Sequence, residues 1–351
     1  MKDKVSVVVV GYGGMGGFHA DELSKLDGFD LLGVYDIKEE RNELARKKGY
    51  CAYDSFEAVL ADERVELITI AAYNDVHKEL AVAAMEAGKN VISEKPVTLS
   101  SVDLEEMIAA SERTGRLFTV HQNRRWDDDY LTAKNILDKN TLGKVFSIES
   151  KVHGSRGIPG DWRAEKQHGG GMVLDWGVHL LDQMLTMTGG RKIISVYASL
   201  TNVTNSEVDD GFSSFLRFDD GMTALVEVCT NNFISMPRWY MLGENGSAVI
   251  NNWELDGEIV MVSDWENRDA VPIRAGAGLT KTMAPRTDDT IKKYPLEKVK
   301  ASWADFYGNI YDVLRNGAQQ LITHDQLRRS MKLMEAIFES AAKNETIRLE
   351  L

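Results

Sequence analysis

The chain opens with a short β-branched run that ends abruptly in a G-x-G-x-x-G turn. The run Val5–Val10 is apolar apart from Ser6, and Gly11, Gly13 and Gly16 follow it directly. In this context the first glycine permits a tight turn, the second lets a pyrophosphate approach the backbone, and the third lets helix and strand pack closely. The order of strand, glycine loop and helix predicts a parallel sheet that binds a dinucleotide. A glycine turn that serves only the fold is the alternative.

An acidic residue at the end of the next strand-like run extends this prediction to the type of cofactor. The run Phe29–Tyr35 ends at Asp36, which lies 20 residues after Gly16. The pyrophosphate would lie on the free N–H groups of a helix that begins near Gly14 and Met15, where the helix dipole favours negative charge. Asp36 would accept hydrogen bonds from the adenosine ribose and repel a 2′-phosphate, so we expect NAD rather than NADP.

Composition narrows the class of protein. A chain of 351 residues is expected to form two domains. It has 54 acidic and 41 basic residues and a net charge of −13, which argues against nucleic acid or an anionic membrane as a partner. Its two cysteines, Cys51 and Cys229, form no C-x-x-C motif, so neither a disulfide framework nor a thiolate zinc site is expected. No apolar run is long enough to span a bilayer, and a strand begins within four residues of the start, so we expect a cytoplasmic protein.

The first third of the chain alternates between strand and helix patterns. Residues 65–72, 90–93 and 117–121 have the apolar character of buried strands, and helix patterns cover residues 39–48, 55–61, 77–87 and 101–114. This alternation predicts an α/β fold with a doubly wound parallel sheet over residues 1–123. In such a sheet the reactive loops lie at the carboxyl ends of the strands.

The pattern changes after about residue 124. A helix is predicted over residues 127–139 and another near 172–188, with alternating strand patterns at 145–153, 193–201, 211–218, 222–229 and 239–242. Residues 265–300 are predicted to be an irregular surface excursion, followed by helices at 301–316 and 323–343 and a final strand at 346–351. We therefore expect residues 124–351 to form an α+β domain with a large, mainly antiparallel open sheet, which binds substrate and supports oligomers.

Two groups of residues could carry out chemistry. Lys95 follows a predicted parallel strand within Glu94-Lys95-Pro96, where it would lie close to a bound nicotinamide and could act as acid or base on a substrate hydroxyl. An ion pair between the neighbours is the alternative. Asp175 and His179 are four residues apart and would project from one face of a helix, with Asp182 able to orient the imidazole. A histidine in this setting is a natural proton acceptor, or else an ordinary core histidine.

Other polar clusters are weaker candidates. Arg124 and Arg125 follow a predicted strand end, but adjacent arginines more often pair with neighbours such as the aspartates at 127–129. His19 is expected to be structural, and His77 to approach the cofactor. The three aspartates lack a second cluster at ligand spacing, so no metal site is predicted.

Taken in order, these motifs resemble those of one enzyme family. They are Gly11-x-Gly-x-x-Gly16, Asn74-x-x-His77, Glu94-Lys95-Pro96, Asn123-Arg124, Trp162-Arg163 and Asp175-x-Gly-x-His179. Together they resemble the glucose–fructose oxidoreductase, inositol dehydrogenase and rhizopine catabolism (Gfo/Idh/MocA) oxidoreductases, and the resemblance covers nearly the whole chain. It implies a Rossmann domain, a second α+β domain and a homodimer or homotetramer.

The resemblance also assigns roles to residues. It implies that His179 takes the hydroxyl proton while Lys95 and Asp175 position the hydroxyl. Substrate contacts are expected from Lys95, Arg124, Trp162, Asp175 and His179, and Asn74, His77 and Glu94 are expected to hold the nicotinamide ribose. The full set of expected cofactor contacts is Gly11, Gly13, Gly14, Met15, Gly16, Asp36, Ala71, Asn74, His77, Glu94, Lys95, Asn123, Trp162 and Arg163.

The implied function is NAD-dependent hydride transfer at a secondary hydroxyl of a sugar or cyclic polyol. The segment at 123–127 is similar to family members that act on scyllo-inositol. A glycosidase or lyase that oxidises its sugar transiently is the alternative, and a non-catalytic NAD-binding regulator is disfavoured because Lys95, Asp175 and His179 are all present. One departure from the family pattern is Ala72-Tyr73, where a Thr-Pro pair is usual.

Overall fold

The first domain is a parallel sheet with helices between its strands. A computed structural model describes residues 3–268 and 270–351. Five parallel strands form the first sheet in the order β2-β1-β3-β4-β5, which confirms the predicted doubly wound fold. The strands are β1 (Val5–Val10), β2 (Phe29–Tyr35), β3 (Leu67–Ile70), β4 (Asn90–Ser93) and β5 (Phe118–Val120). The helices are α1 (Gly14–Leu23), α2 (Glu39–Lys47), α3 (Phe56–Ala61), α4 (His77–Glu86) and α5 (Ser101–Thr114).

The sequence determines these elements locally. All four residues of β3 are buried, as expected for a strand covered by helices on both faces. Helix α5 begins where the Ser100 side chain accepts a hydrogen bond from the Asp103 N–H, and it ends at Gly115, whose φ of +64° suits glycine. These start and stop signals place the helix as the sequence predicts.

The second domain is built around a nine-stranded mixed sheet. Its strand order is β15-β12-β11-β10-β6-β9-β8-β7-β16, in which β6 and β9 run parallel and the other pairs that the structure describes are antiparallel. The elements that follow the first domain are α6 (Asp128–Asp138), β6 (Val145–His153), α7 (Val178–Met187), β7 (Ile193–Thr201), β8 (Gly211–Phe218), β9 (Thr223–Cys229), β10 (Trp239–Gly243), β11 (Gly246–Ile250), β12 (Gly257–Val262), β13 (Ile273–Ala275), β14 (Gly278–Thr280), β15 (Ile291–Pro295), α8 (Ala304–Asn316), α9 (His324–Lys343) and β16 (Ile347–Arg348). This architecture confirms the predicted large, mainly antiparallel sheet.

Two faces of this sheet have different surroundings. Helices α7 and α9 contact one side of the sheet at β6 and β7, and side chains such as Val226 and Leu216 are buried. Side chains on the other face alternate with them and include the exposed rings of Phe146, Phe215 and Tyr240. This alternation follows from the two-residue period of a strand.

The prediction of an irregular excursion over residues 265–300 is wrong in part. Ile291–Pro295 forms β15, which pairs with β12 at the edge of the large sheet, and β13 and β14 form a small hairpin. Position 269 lies outside the described residues. Strand β15 is exposed and carries two lysines, as edge strands often do, so its sequence lacks the apolar alternation that identifies a strand.

The closing helices return to the first domain. On α8, the Tyr307 ring lies 5.6 Å from Phe29 of β2, and Arg315 pairs with Glu66 at 2.8 Å. The segment assigned to the second domain therefore also packs against the first sheet. The boundary at residue 123 stays a prediction. Among the described residues no helix is both long and apolar enough to cross a membrane.

Candidate active site

The candidate active site lies at the carboxyl edge of the first sheet. Strand pairing places Tyr35, Val10, Ile70, Ser93 and Val120 in one row across all five strands. The residues that follow this row are Asp36, Gly11, Ala71, Glu94 and His121. A single row of strand ends therefore brings together motifs that are far apart in the sequence.

The glycine loop has the shape that a dinucleotide requires. Gly11 has a φ of +91°, and a Cβ there would lie 2.5 Å from the Ala71 carbonyl oxygen. A Cβ on Gly16 would lie 1.7 Å from the Gly11 oxygen, so only glycine fits. By contrast, a Cβ on Gly13 or Gly14 would point into open space, which leaves room for a pyrophosphate.

Helix α1 adds the donors. The first N–H groups of any helix lack intrahelical partners, and because α1 begins at Gly14 without a side-chain cap, these groups are available to a ligand. Met15 is 37% exposed at this end of the helix. The loop and the helix start together fit the phosphates of NAD.

Asp36 closes the other side of the loop. Its Oδ2 accepts a hydrogen bond from the Tyr12 N–H at 2.6 Å, and its Oδ1 accepts one from the Lys38 N–H at 2.8 Å. The carboxylate is thus fixed beside the glycine loop, where the sequence predicts that it meets the adenosine ribose.

Lys95 reaches across from the first domain to the second. Its Nζ donates to Asp175 Oδ1 and to the Asp175 carbonyl oxygen, both at 3.0 Å, and the other carboxylate oxygen accepts from Arg163 Nε at 3.0 Å. Burial alone would raise the pKa of Asp175, but the charges of Lys95 and Arg163 and their hydrogen bonds lower it overall. Asp175 is therefore an ionised group that orients two cations. The Arg163 guanidinium also lies over the Trp162 ring, 4.6 Å from its centroid.

His179 lies beside this ion pair. Burial is the main cause that holds the pKa of His179 well below its usual range, and the positive charges of Lys95 and Arg124 lower it further. The ring is therefore neutral at pH 7. The ring is 4% exposed, and its Nδ1 has no hydrogen-bond partner among residues 3–268 and 270–351. A neutral imidazole has one unprotonated nitrogen, which can accept a proton.

The helix that carries Asp175 and His179 differs from the expected one. Val173–Gly177 forms one π-helical turn before α7, so the two residues are not on a continuous α-helix. Turns of this kind occur often at functional sites. The prediction that Asp182 orients His179 is wrong, because both oxygens of Asp182 accept from the buried Arg125, at 2.7 and 2.6 Å.

The residues expected to hold the nicotinamide ribose have other partners. His77 is fully buried, and its ring nitrogens lie 3.0 and 3.1 Å from the carbonyl oxygens of Pro96 and Ala72. Its contact with the ribose stays a prediction. Glu94 is turned inward between His19 and His121. Asn74 donates to two carbonyl oxygens at His168 and Gly169 and ties this edge to the second domain.

Tyr73, which departs from the family's usual Thr-Pro pair, contacts aromatic side chains of the second domain. Its ring stacks on His168 with centroids 4.5 Å apart, and it lies 6.3 Å from the Trp162 ring. His168 in turn pairs with Asp75 at 3.0 Å. The loop that carries Trp162 and Arg163 is thereby held against the first domain.

The Asn123–Trp126 turn contributes one arginine to the site and one to the interior. Arg124 pairs with Asp127 at 2.8 Å and lies over the Trp176 ring, 4.2 Å from its centroid, whereas Arg125 is buried with Asp182. Asn123, half-buried, begins the turn.

Sequence reasoning missed two tryptophans here. Trp176 lies next to Asp175 in the chain, with its ring centroid 6.1 Å from that of His179. The Trp253 ring is 6.2 Å from that of Trp176 and is 46% exposed. Trp176 could have been found as the neighbour of Asp175, but nothing in the sequence connects Trp253 to the site.

Comparison with known proteins identifies the family. The family model for the oxidoreductase family with an NAD-binding Rossmann fold matches residues 5–122, and that for the GFO/IDH/MocA C-terminal domain matches residues 130–249. The chain belongs to the Gfo/Idh/MocA oxidoreductases. As a member of that family it binds NAD(P) in its first domain and is an oxidoreductase.

Similar proteins in this family span the whole chain. The crystal structure of an NAD-binding protein from Listeria innocua is 47% identical, covers 99% of this chain and 100% of its own, and has a TM-score of 0.96. The uncharacterized oxidoreductase YdgJ of Escherichia coli is 29% identical, with 99% of each chain covered. The scyllo-inositol 2-dehydrogenase (NADP(+)) IolW of Bacillus subtilis is 25% identical over 99% of this chain and 97% of its own length.

Proposed function

We propose that this protein is an NAD-dependent dehydrogenase that oxidises a secondary hydroxyl of a sugar or cyclic polyol. The observation that carries the proposal is the Lys95–Asp175 ion pair beside a neutral His179, at the sheet edge that also forms the glycine loop. Alcohol oxidation needs a base for the hydroxyl proton and a donor that fixes the hydroxyl oxygen. These three side chains meet both needs.

Each residue has a separate task in the proposed reaction. His179 accepts the hydroxyl proton on a ring nitrogen, since the ring is neutral at pH 7. Lys95 donates a hydrogen bond to the hydroxyl oxygen, and Asp175 holds the Lys95 ammonium group in place by a hydrogen bond. Bound NAD supplies the hydride acceptor. The organic product is a ketone.

The charges around the cleft favour a neutral substrate. Arg124 pairs with Asp127, and Arg238 pairs with Asp129 at 3.0 Å. Lys95 pairs with Asp175, and Arg163, which shares Asp175, also pairs with Asp161 at 2.9 Å. Each of these four cations therefore has a carboxylate partner among the described residues. The half-exposed ring of Trp253 offers an apolar surface for the C–H face of a ring-shaped polyol. The names of relatives such as the scyllo-inositol 2-dehydrogenase also support a cyclic polyol.

The proposal is tested by NADH formation with a panel of inositols, hexoses and open-chain polyols. The wild-type protein should reduce NAD with at least one ring-shaped member. Lys95→Met should lower kcat by on the order of 100-fold or more while leaving NAD binding measurable, because the hydroxyl loses its hydrogen-bond donor.

Lys139→Met is the matched control, because Lys139 is half-exposed and its one ion-pair partner among the described residues is Glu297 on the surface. Its turnover should equal that of the wild type. Near-normal turnover in Lys95→Met would contradict the assigned site.

A further inference from the structure

Three buried ionisable side chains meet directly behind Lys95. His19 lies on α1, Glu94 follows β4, and His121 follows β5, and the two imidazole rings are fully buried. The three residues lie far apart in the sequence, and the proposed chemistry does not use them. Their convergence follows from the row of strand ends, because β4 and β5 are neighbours in the sheet.

The Glu94 carboxylate is the centre of this group. Its Oε1 accepts from His19 Nε2 at 2.8 Å and from His121 Nδ1 at 2.7 Å. Its Oε2 accepts from the backbone N–H of Lys95 at 3.1 Å. Both imidazoles act as donors toward the carboxylate, and the other nitrogen of His19 accepts from the Tyr307 hydroxyl of α8.

The charge states agree with this set of hydrogen bonds. Burial would raise the pKa of Glu94, but the charges of and hydrogen bonds from His121 and His19 hold it well below its usual range. Burial lowers the pKa of His19. Glu94 is therefore an ionised carboxylate in the interior, and such a group is stable only while its donors remain in place.

The same three residues are the one cluster among the described residues with metal-ligand composition. The two nitrogen-to-oxygen distances are those of charge-assisted hydrogen bonds. Protons, rather than a metal ion, therefore account for the contacts between these side chains.

We propose that His19 and His121 are positioning residues for Lys95, acting through Glu94. The two imidazoles fix the carboxylate, and the carboxylate fixes the backbone N–H from which the Lys95 side chain extends toward Asp175. Because His19 belongs to the helix that begins at the glycine loop, the same network sets the distance between the cofactor loop and the lysine. The effect on turnover rests on the proposed function, whereas the effect on the Lys95 backbone does not.

Replacing each histidine by an amide provides a sharp test. An asparagine nitrogen occupies the place of a histidine Nδ1, and a glutamine nitrogen the place of Nε2. His121 donates from Nδ1, so His121→Asn keeps the donor in place and His121→Gln displaces it. His19 donates from Nε2, so the pattern is reversed: His19→Gln keeps the donor and His19→Asn displaces it.

The primary measurement is hydrogen–deuterium exchange of the Lys95 backbone amide in the full-length protein. Exchange should be faster in His121→Gln and His19→Asn and close to wild type in the two matched variants. With a substrate identified, kcat should fall on the order of 10- to 100-fold in the displaced pair only, since a misplacement of about 1 Å has that effect. Thermal unfolding of each variant shows that it is folded. The Asn and Gln variants at position 19 and those at position 121 test the proposal independently of each other.

Equal exchange at Lys95 in the Asn and Gln variants of both positions would overturn the proposal. Stoichiometric zinc in the purified wild type that is lost in these variants would also overturn it, because the histidines would then be ligands. If exchange separates the pairs as expected but no polyol is oxidised by the wild type, the positioning role stands and the proposed function fails.

Discussion

At the scale of single residues, we propose that Asp36 decides whether the glycine loop prefers NAD or NADP. Its carboxylate is held by two backbone N–H groups, so it lies in a fixed place beside the loop. We predict that Asp36→Ala weakens NAD binding and lowers the preference for NAD over NADP, because the ribose loses an acceptor and a 2′-phosphate is no longer repelled. Dissociation constants for both cofactors, measured by fluorescence, check this.

Asp36→Asn separates the two effects. The amide oxygen can still accept from the Tyr12 N–H, although the Lys38 N–H then loses its acceptor, and the amide carries no charge, so NADP binding should improve. A wild-type protein that binds NADP more tightly than NAD would contradict the role given to this carboxylate.

Residue-level prediction worked where a motif fixes the surroundings. Lys95 and Asp175 were predicted from their motifs, and the structure brings them within 3.0 Å of each other. The partners of His77 and Asp182 were not predictable, because each is chosen by a segment distant in the chain: the Pro96 carbonyl for one and Arg125 for the other. Sequence shows which side chains can do chemistry, but long-range packing decides which of them remain free to do so.

At the scale of elements, one buried acid, Asp209, holds the start of the helical segment that carries Asp175 and His179. Asp209 Oδ2 accepts from the Val173 N–H at 2.8 Å, and its carbonyl oxygen accepts from the Met172 N–H. The backbone of Gly171 passes so close that a Cβ there would lie 2.3 Å from Asp209 Oδ1. This loop therefore sets the position of the π-helical turn that carries Asp175.

We predict that Asp209 makes stability depend on pH. Burial raises its pKa to about 6, above that of an unfolded aspartate at about 3.9. The native state then binds the proton more tightly than the unfolded state, so the free energy of unfolding falls as pH rises from about 4 to about 6. The loss from this group is at most about 3 kcal/mol. Denaturant unfolding across this pH range measures it.

Asp209→Asn should abolish the fall in the free energy of unfolding between about pH 4 and about pH 6. The amide oxygen can still accept from the Val173 N–H, but the side chain no longer ionises. Asp210→Asn is the matched control: the pKa of Asp210 is lowered in spite of its burial, by hydrogen bonds that include those from Thr204 and Thr201. The Asp210→Asn variant should have a lower free energy of unfolding than the wild type at pH 7. Parallel pH curves for wild type and Asp209→Asn would contradict the prediction.

Element prediction depended on the pattern of each segment. Helix α5 and the buried strands carry clear signals, whereas the edge strand β15 reads as polar surface because its side chains are exposed. The single π-helical turn at Val173–Gly177 has no signature in the residue pattern, since it differs from an α-helix by one hydrogen-bond step.

At the scale of the whole molecule, the outer face of the large sheet suggests assembly. Phe215 and Leu225 are cross-strand neighbours on this face, as are Tyr197 and Phe215, and the rings of Phe146, Phe215 and Tyr240 are exposed. We propose that a second copy of the chain covers this face, as the family resemblance also implies. Sedimentation of the wild type should give a dimer or tetramer, and Phe215→Glu should shift it toward monomer. A monomeric wild type would contradict the proposal.

The arrangement of the two domains was the least predictable feature at this scale. The sequence indicates an α/β part and a mainly antiparallel part, but α8 joins the first sheet through contacts such as Arg315 with Glu66, which lie far apart in the chain. The site itself depends on this arrangement, because Lys95 and Asp175 come from different domains.

The most direct test follows a hydride from substrate to cofactor. The wild-type protein is incubated with NAD and a cyclic polyol that carries deuterium on the carbon of the reacting hydroxyl, and the cofactor and the product are analysed by mass spectrometry. Deuterated NADH should accumulate in step with a ketone. Product without net deuterium in the cofactor would contradict it, and would indicate transient oxidation in a glycosidase or lyase instead.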